Sequence, residues 1–348
     1  MNWFLIAFFL LAVSLFLITK YYLLKKEATL EQIETFENEE FLTFTEKLTK
    51  DHNITIQYLN ANQARKLIKK DGEYLQGMNQ ANLSARKCDT LEELYNKYLD
   101  AFDDITDDER NTIDKFALRL LEKIQKRKHS YYNYFAKWMK TINIAKAKPW
   151  LEAGMPHTLE NTIIMDADWF ANPRANTFIH EITHVQQRMY PVEFEDLYPT
   201  LGYYYYPHYI KGMEHVYAVN RNNPDGTSTR WLWTDAKEGS EWWIGAIFTT
   251  ITPHKLTDVN MVALKMDKGA DGALYYLKQN PVPLSSLKPF VSFFGQSQNN
   301  YHPNEMMAHF AEWYLADVLM ESGRSEYYKY EGYIKYKAFF DDMIGKFY

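Results

Sequence analysis

The sequence predicts an α+β fold that is mostly helical. Helices are indicated by apolar residues at helical spacing and by a capping box at 106–109 (TDDE) just before such a run. Strands are indicated by short β-rich runs at 53–60 and 162–165. The 348 residues, 46% of them hydrophobic and 24% charged, suffice for one large or two modest globular domains.

Composition limits the classes of function. The net charge of −6 argues against general nucleic-acid binding, so we expect no nucleic-acid partner. Cys88 is the one cysteine of the chain, which excludes an intrachain disulfide and a cysteine-based zinc site. Aromatic residues cluster at 203–206 and, as four tryptophans, at 231–243. They are interpreted either as core and surface packing or as walls of a substrate cleft.

The first 26 residues differ from the rest. Trp3 to Thr19 is a run of 17 residues without charge, at the short end of the range for a membrane helix. A cleaved signal peptide would have basic residues before the run and a small-x-small site after it, and neither is present. We therefore expect an uncleaved single-pass membrane anchor. A cleaved signal peptide is the second interpretation, and a buried helix of a soluble protein is the third. The lysines at 20, 25 and 26 favour an inside location for the following residues.

The turn-rich stretch from Pro149 to Pro156 places a domain boundary near position 148. Before it, a Thr-capped helix is predicted over 90–101 and a second helix from 106 to about 126. This part is interpreted as a helical spacer or lid. The predicted regions are 1–26 as the membrane anchor, 27–148 as a mainly helical N-terminal region, and 149–348 as the catalytic domain.

The strongest chemical signal is the stretch His180-Glu181-Ile182-Thr183-His184. Residues four apart share one face of a helix, so His180 and His184 can direct two imidazoles at one metal ion, with Glu181 beside them. Zinc suits this arrangement because neutral imidazole is a good zinc ligand, and three protein ligands leave a position for water. A zinc ion lowers the pKa of bound water, and a carboxylate such as Glu181 can take the proton.

The helix that carries this motif is predicted over about 173–189, after the short strand at 162–165 and a loop. In zinc peptidases an edge strand lies beside the metal helix, and an extended substrate can pair with that strand. The helix face opposite the histidines is an apolar stripe, as in a buried active-site helix. The stripe consists of Phe178, Ile182, Val185 and Met189.

A third metal ligand must come from elsewhere in the chain. Gln187 and Tyr190 stand where one class of zinc peptidase has glycine and a third histidine, which excludes that class. A second class supplies a glutamate from a later helix, often after asparagine, and Asn304-Glu305 is the best match. A site without a third protein ligand is the remaining option. The other acids considered are Asp196, Glu214, Glu238 and Glu241.

The segment around Glu305 has the pattern of a second amphipathic helix. Pro303 is typical of a helix start, and Asn304 is expected to cap the amides that follow. His309 and Glu312 share a face with Glu305 and are expected to hold ligands in place rather than to be ligands, or to be solvated. The opposite face is apolar, with Met307, Phe310, Tyr314 and Val318.

His180-Glu181-x-x-His184 together with Asn304-Glu305 resembles a gluzincin-type zinc metallopeptidase. The stretch from Phe293-Phe294-Gly295 to Phe310-Ala311-Glu312 is loosely similar to the anthrax lethal-factor type. The resemblance covers about a fifth of the chain. It implies a zincin fold, with a small mixed sheet over the metal helix, and a tyrosine that stabilises the oxyanion. Tyr301 is the nearest candidate for that role, and His302 or one of the tyrosines at 203–206 could serve instead.

The sequence thus predicts a membrane-anchored zinc endopeptidase acting on a peptide or protein substrate, or on a cell-wall or glycoprotein substrate. His180, His184 and Glu305 are the predicted Zn²⁺ ligands, and Glu181 and Tyr301 are the predicted catalytic residues. The alternative is a zincin-like module without catalysis that binds a protein or glycan. That alternative would gain if Glu305 lay far from the two histidines.

Overall fold

A computed structural model describes residues 42–277, 280–295, 301–320 and 326–346. The fold is α+β, as predicted, with helices in about half of the described residues and with mixed sheets. Contacts group Phe44–Tyr348 into one compact unit. The predicted membrane anchor at 1–26 lies outside the described residues. Within the described ranges, every helix is too short or too polar to cross a bilayer.

The helices occur throughout the compact unit. In chain order, the described α-helices are α1 (Phe44–His52), α2 (Ala61–Arg65), α3 (Glu73–Gln76), α4 (Gln80–Ala85), α5 (Leu91–Leu99), α6 (Asp107–Arg127), α7 (His129–Trp138), α8 (Ala167–Ala171), α9 (Ala175–Met189), α10 (Val192–Glu195), α11 (Leu197–Thr200), α12 (Glu214–Tyr217), α13 (Lys288–Phe294), α14 (Pro303–Leu319) and α15 (Glu331–Gly345).

Two of these helices begin where the sequence predicts. The side chain of Thr90 accepts from the amide of Glu93 at the start of α5, and Thr106 accepts from Glu109 at the start of α6. In both cases the glutamate side chain accepts in return from the amide of the threonine, which satisfies two amides that the helix leaves without partners.

The first sheet contains β1 (Thr55–Tyr58), β2 (Phe102–Asp103), β3 (Thr141–Ala147), β4 (His157–Leu159) and β5 (Thr162–Asp166). Its order is β1-β3-β5-β4, and β2 also pairs with β3. Strands β1, β3 and β5 are parallel, whereas β4 runs antiparallel to β5 and forms an edge. The sheet is therefore mixed, and its antiparallel edge strand comes shortly before the metal-motif helix in the chain.

The second sheet is antiparallel, with the order β12-β9-β8-β7-β6. The aromatic clusters lie on it, and most of their side chains are packed. Tyr203, Trp233 and Trp243 are buried, whereas Tyr205 is 47% exposed. Its strands are β6 (Tyr203–Tyr205), β7 (Trp231–Thr234), β8 (Glu241–Phe248), β9 (Val259–Lys265) and β12 (Val282–Pro283), and β10 (Asp267–Lys268) with β11 (Leu274–Tyr275) forms a separate ribbon.

Both faces of the first sheet are covered. Alternate residues of β5 point to opposite faces: Ile163 and Met165 join the largest apolar cluster, and Ile164 joins a second cluster. The largest cluster also contains Ile179 and Ile182 of α9. Burial on both faces explains why β5 reads as a continuous apolar run rather than as an alternating one.

The boundary predicted at 148–149 falls inside the compact unit. Strands β1, β2 and β3 precede it, and β4 and β5 follow it, yet all five belong to one sheet. Helices α1 to α7 lie in the described part of this region, but the pairing of β3 with β5, which joins it to the rest of the unit, leaves no local signal in the sequence.

Candidate metal centre

Helix α9 carries the histidine motif and is buried along most of its length. Every residue from Phe178 to Gln187 is buried. In the predicted apolar stripe Phe178, Ile182 and Val185 are buried as expected, but Met189 is 48% exposed because it is the last residue of the helix. The helix packs against α14 and against β4 and β5.

Helix α14 carries Glu305 and begins at Pro303, as predicted. The prediction that Asn304 caps it is wrong. His302 is the N-cap, and its Nδ1 accepts from the amide of Asn304 at 3.2 Å. The Asn304 side chain instead donates to the Asp225 carbonyl at 2.9 Å and accepts from the Tyr198 hydroxyl at 2.8 Å.

The structure brings Glu305 to the two histidines. Glu305 Oε2 lies 3.3 Å from His180 Nε2 and 3.8 Å from His184 Nε2. Ligand atoms that share one zinc at bonds of about 2 Å are about 3–4 Å apart. The three residues are therefore placed as ligands of one metal ion require.

The surroundings of these three residues also suit a metal ion. All three are buried, and within the described part of the chain they form the group of acids and histidines that could hold a metal. His184 Nε2 is buried without a hydrogen-bond partner, which is costly unless something else binds it. The other acids that the sequence offered as third ligands are outside this group: Asp196, Glu214, Glu238 and Glu241.

Each imidazole is oriented by a hydrogen bond at its other nitrogen. His180 Nδ1 lies 2.7 Å from Glu312 Oε1, and His184 Nδ1 lies 2.9 Å from Gln187 Oε1. An Nδ1–H that donates to an oxygen leaves the Nε2 lone pair for a metal. Glu312 thus holds a ligand in place, as predicted, whereas His309 contacts Glu312 at 3.6 Å instead of a ligand.

Two further orienting residues were not identified in the sequence. Gln187 donates its Nε2–H to the Asn304 carbonyl at 3.1 Å, which connects α9 to the start of α14. Asn223 donates to Glu305 Oε1 at 2.5 Å and also to the Tyr301 hydroxyl. The signal available in the sequence is the polar run at 221–226 (RNNPDG), which also contains the turn residues Pro224-Asp225-Gly226.

Glu181 lies beside the histidines with one oxygen unpaired. Its Oε2 is buried and has no hydrogen-bond partner. Burial raises the pKa of Glu181 to about 8, and the charge of Asp225 acts in the same direction. A cation bound nearby would favour the carboxylate form and lower this pKa.

The predicted ligands shift one another's pKa values. Burial by itself would lower the pKa of His180, but hydrogen bonds to Glu305 and Glu312 raise it well above its usual value. Burial would raise the pKa of Glu305, but the charge of His184 and the hydrogen bond with His180 hold it well below its usual range. A metal ion must displace the imidazole protons, so its affinity should rise with pH.

Two of the candidate ligands, His180 and Glu305, line a cleft of about 350 Å³. Tyr301 lines this cleft and is buried, with its hydroxyl bonded to Asn223. Burial, followed by the charge of Glu305, raises its pKa, so the phenol remains a hydrogen-bond donor at neutral pH. His302 lies in a different cavity, of about 590 Å³, together with Tyr203 to Tyr205 and Trp231.

Comparison with protein-family models, with curated proteins and with solved structures finds no match to this chain. The gluzincin resemblance therefore rests on the motif residues and on the geometry that the fold gives them.

Proposed function

We propose that this chain is a zinc-dependent endopeptidase. The observation that carries the proposal is the convergence of His180, His184 and Glu305 on one buried position, at Nε2–Oε2 distances of 3.3 and 3.8 Å. Structural zinc sites have four protein ligands, whereas catalytic sites have three and leave one position open. The three-ligand set therefore supports catalysis rather than a purely structural role.

Zinc is proposed because of the donor set. Two imidazoles and one carboxylate are the ligands of catalytic zinc in peptidases, whereas magnesium and calcium prefer oxygen ligands alone. Bound there, zinc would lower the pKa of a water molecule and polarise the scissile carbonyl.

The chain's own residues supply the remaining chemistry. Glu181, with its unpaired oxygen beside the ligands, is the general base that takes the proton of the attacking water and delivers it to the leaving amine. Tyr301 is the proposed donor to the oxyanion, because its buried hydroxyl lines the same cleft.

A peptide is the proposed substrate because an edge strand lies beside the metal helix. Strand β4 pairs with β5 on one side, and His157 of β4 lines the cleft with His180 and Glu181. An extended peptide can add to such an edge through backbone hydrogen bonds. Attachment of the enzyme to a membrane through residues 1–26 is part of the same proposal and is based on sequence alone.

The alternative, a binding module without catalysis, has one supporting feature. The cavity of about 590 Å³ is lined by Tyr198, Tyr205 and Trp231, whose rings could contact a glycan. A Glu305 remote from the histidines would have favoured the binding module, and the 3.3 Å separation from His180 favours the peptidase instead.

The test compares wild type with Glu181→Gln for bound zinc and for cleavage of an unfolded protein such as casein. We expect about one zinc per chain in both proteins and a loss of activity of about 10²–10⁴-fold in the variant, because the base is gone and the ligands remain. Glu122→Gln, at an exposed position of α6, is the matched control and should keep both properties. A wild-type protein that binds no zinc, or a fully active Glu181→Gln, would overturn the proposal.

A further inference from the structure

Arg221 lines the metal cleft with its guanidinium almost without acceptors. Its Nε is buried and has no hydrogen-bond partner. Its Nη2 lies 3.7 Å from Met155 Sδ, and a thioether is a weak acceptor. A buried donor left without an acceptor destabilises the fold, so this arrangement requires either a compensating ligand or a solvent molecule.

The carboxylates of the cleft do not neutralise Arg221. Within the described residues Arg221 makes no ion pair, and Glu181 does not bond to it. The other cleft carboxylates have different partners: Glu152 pairs with Arg86, Asp225 with Arg188 and Thr158, Glu305 with His180 and Asn223, and Glu312 with His180.

The backbone fixes Arg221 close to the proposed catalytic groups. Its amide donates to the Ala246 carbonyl of β8 at 2.9 Å, directly after the bridge between Asn220 and Ile247. Although burial raises the pKa of Tyr301, the positive charge of Arg221 acts to lower it, which reflects their proximity. Arg174 is the other arginine of the cleft, but it is exposed at the start of α9 and donates to Thr177 Oγ1 at 3.4 Å.

We infer that Arg221 binds a carboxylate of the substrate, so that the proposed peptidase, on which this inference rests, prefers peptides with an acidic group near the scissile bond. A guanidinium matches a carboxylate with two parallel hydrogen bonds, which satisfies Nε and one Nη together. The carboxylate can be the C-terminus of a short peptide or the side chain of Asp or Glu. Both present the same group to Arg221.

The experiment measures kcat/KM on matched peptide pairs with the zinc-loaded enzyme. One pair differs as C-terminal acid and C-terminal amide, and the other pairs place Asp or Asn at each position near the cleaved bond. For wild type we expect the acid to be preferred about 10–100-fold in at least one pair, as for a hydrogen bond to a charged group. The pair that shows the preference identifies the source of the carboxylate.

Variants assign the preference to one arginine. In Arg221→Gln the acid-to-neutral ratio of kcat/KM should fall to about one, and Arg221→Lys should give an intermediate ratio because it retains charge without the planar fork. Arg174→Gln, in the same cleft, should keep the wild-type ratio. A ratio is insensitive to partial unfolding, since unfolding lowers both members of a pair equally.

The outcomes separate the two proposals. Cleavage of every pair at equal kcat/KM by wild type overturns the role of Arg221 and leaves the peptidase intact. That role is also overturned if Arg221→Gln lowers kcat/KM equally on acidic and neutral peptides. It is overturned likewise if Arg174→Gln, instead of Arg221→Gln, loses the preference for the acidic peptide. A zinc-loaded wild type that cleaves no peptide overturns the proposed function and the inference together.

Discussion

At the scale of single residues, the candidate metal centre depends on which nitrogen of each histidine faces Glu305. His180 and His184 lie on one helix face. Their Nε2 atoms point to the same position because the Nδ1 atoms are hydrogen-bonded to Glu312 and Gln187. The hydrogen bond from Asn223 holds Glu305 in the same way. Such partners typically raise metal affinity about 10–100-fold.

Removing the acceptor of His180 should therefore weaken zinc binding. We expect Glu312→Ala to raise the zinc dissociation constant about 10–100-fold, and Glu312→Gln to raise it less, because the amide oxygen still accepts from Nδ1–H. Competition with a chromophoric chelator measures both constants. Glu326→Ala, at an exposed site, should leave the constant at its wild-type value, and an unchanged constant in Glu312→Ala would contradict the assigned role.

At the scale of elements, α9 and α14 form the centre by packing side by side. The sequence predicted each as a helix with one polar and one apolar face. In the fold, α14 is buried on nearly every side, because it also contacts α6 and α15. Glu305 is thus only 5% exposed, and its exclusion from water strengthens its interaction with the histidines.

The apolar side of α9 should contribute strongly to stability. Ile182 is 1% exposed, and we expect Ile182→Ala to lower the free energy of unfolding by about 2–5 kcal/mol, because it leaves a cavity in the largest apolar cluster. Met189→Ala, on the same helix but 48% exposed, should change it by about 0.5 kcal/mol or less. Urea unfolding with a chelator present measures both values, and similar losses in the two variants would show that the packing of α9 is misassigned.

At the scale of the whole molecule, a buried ion pair connects Glu152, which lines the cleft, to Arg86 in the N-terminal half. Arg86 Nη2 lies 2.8 Å from Glu152 Oε2, and the hydroxyls of Tyr74 and Tyr98 donate to Glu152 Oε1. Glu152 and Ala153 have φ angles of 46° and 58°, a left-handed conformation that is costly for residues other than glycine. The buried contacts of Glu152 hold this turn, which precedes Met155 and β4 at the cleft.

This pair should make stability depend on pH. Burial would raise the pKa of Glu152, but Arg86 outweighs it and the pKa falls to about 2, below the value of about 4.3 for an unfolded glutamate. A depressed folded-state pKa stabilises the fold above about pH 4.3, and that stabilisation is lost as the pH falls through about 2. Glu152→Gln should lower the free energy of unfolding by about 3–5 kcal/mol at neutral pH, because Arg86 is then a buried charge without a partner.

Chemical denaturation of wild type and Glu152→Gln between pH 7 and pH 2 measures this effect. The difference in free energy of unfolding between the two proteins should shrink below about pH 4.3. There Glu152 of the unfolded wild-type chain binds a proton, whereas Glu152 of the folded chain remains ionised. Glu160→Gln removes an exposed salt bridge with Lys69 and should lower the free energy of unfolding by about 0–1 kcal/mol at any pH. A pH-independent difference for Glu152→Gln would show that the ion pair is not the cause.

The sequence by itself determined the features that depend on local spacing. Two histidines four apart share a helix face wherever that helix lies, and the capping boxes at Thr90 and Thr106 act within one turn. Glu305 was the preferred third ligand from its Asn-Glu context, but its distance to His180 is set by the packing of α14 on α9.

Only the tertiary structure decided which distant residues complete the site. Asn223 holds a ligand and Arg221 lines the cleft, yet neither of them belongs to a periodic pattern. The sheet that crosses position 148 was hidden for the same reason. Hydrogen bonds and strand pairings between remote segments depend on how the chain packs. Periodicity and capping depend only on residues that are close together in the sequence.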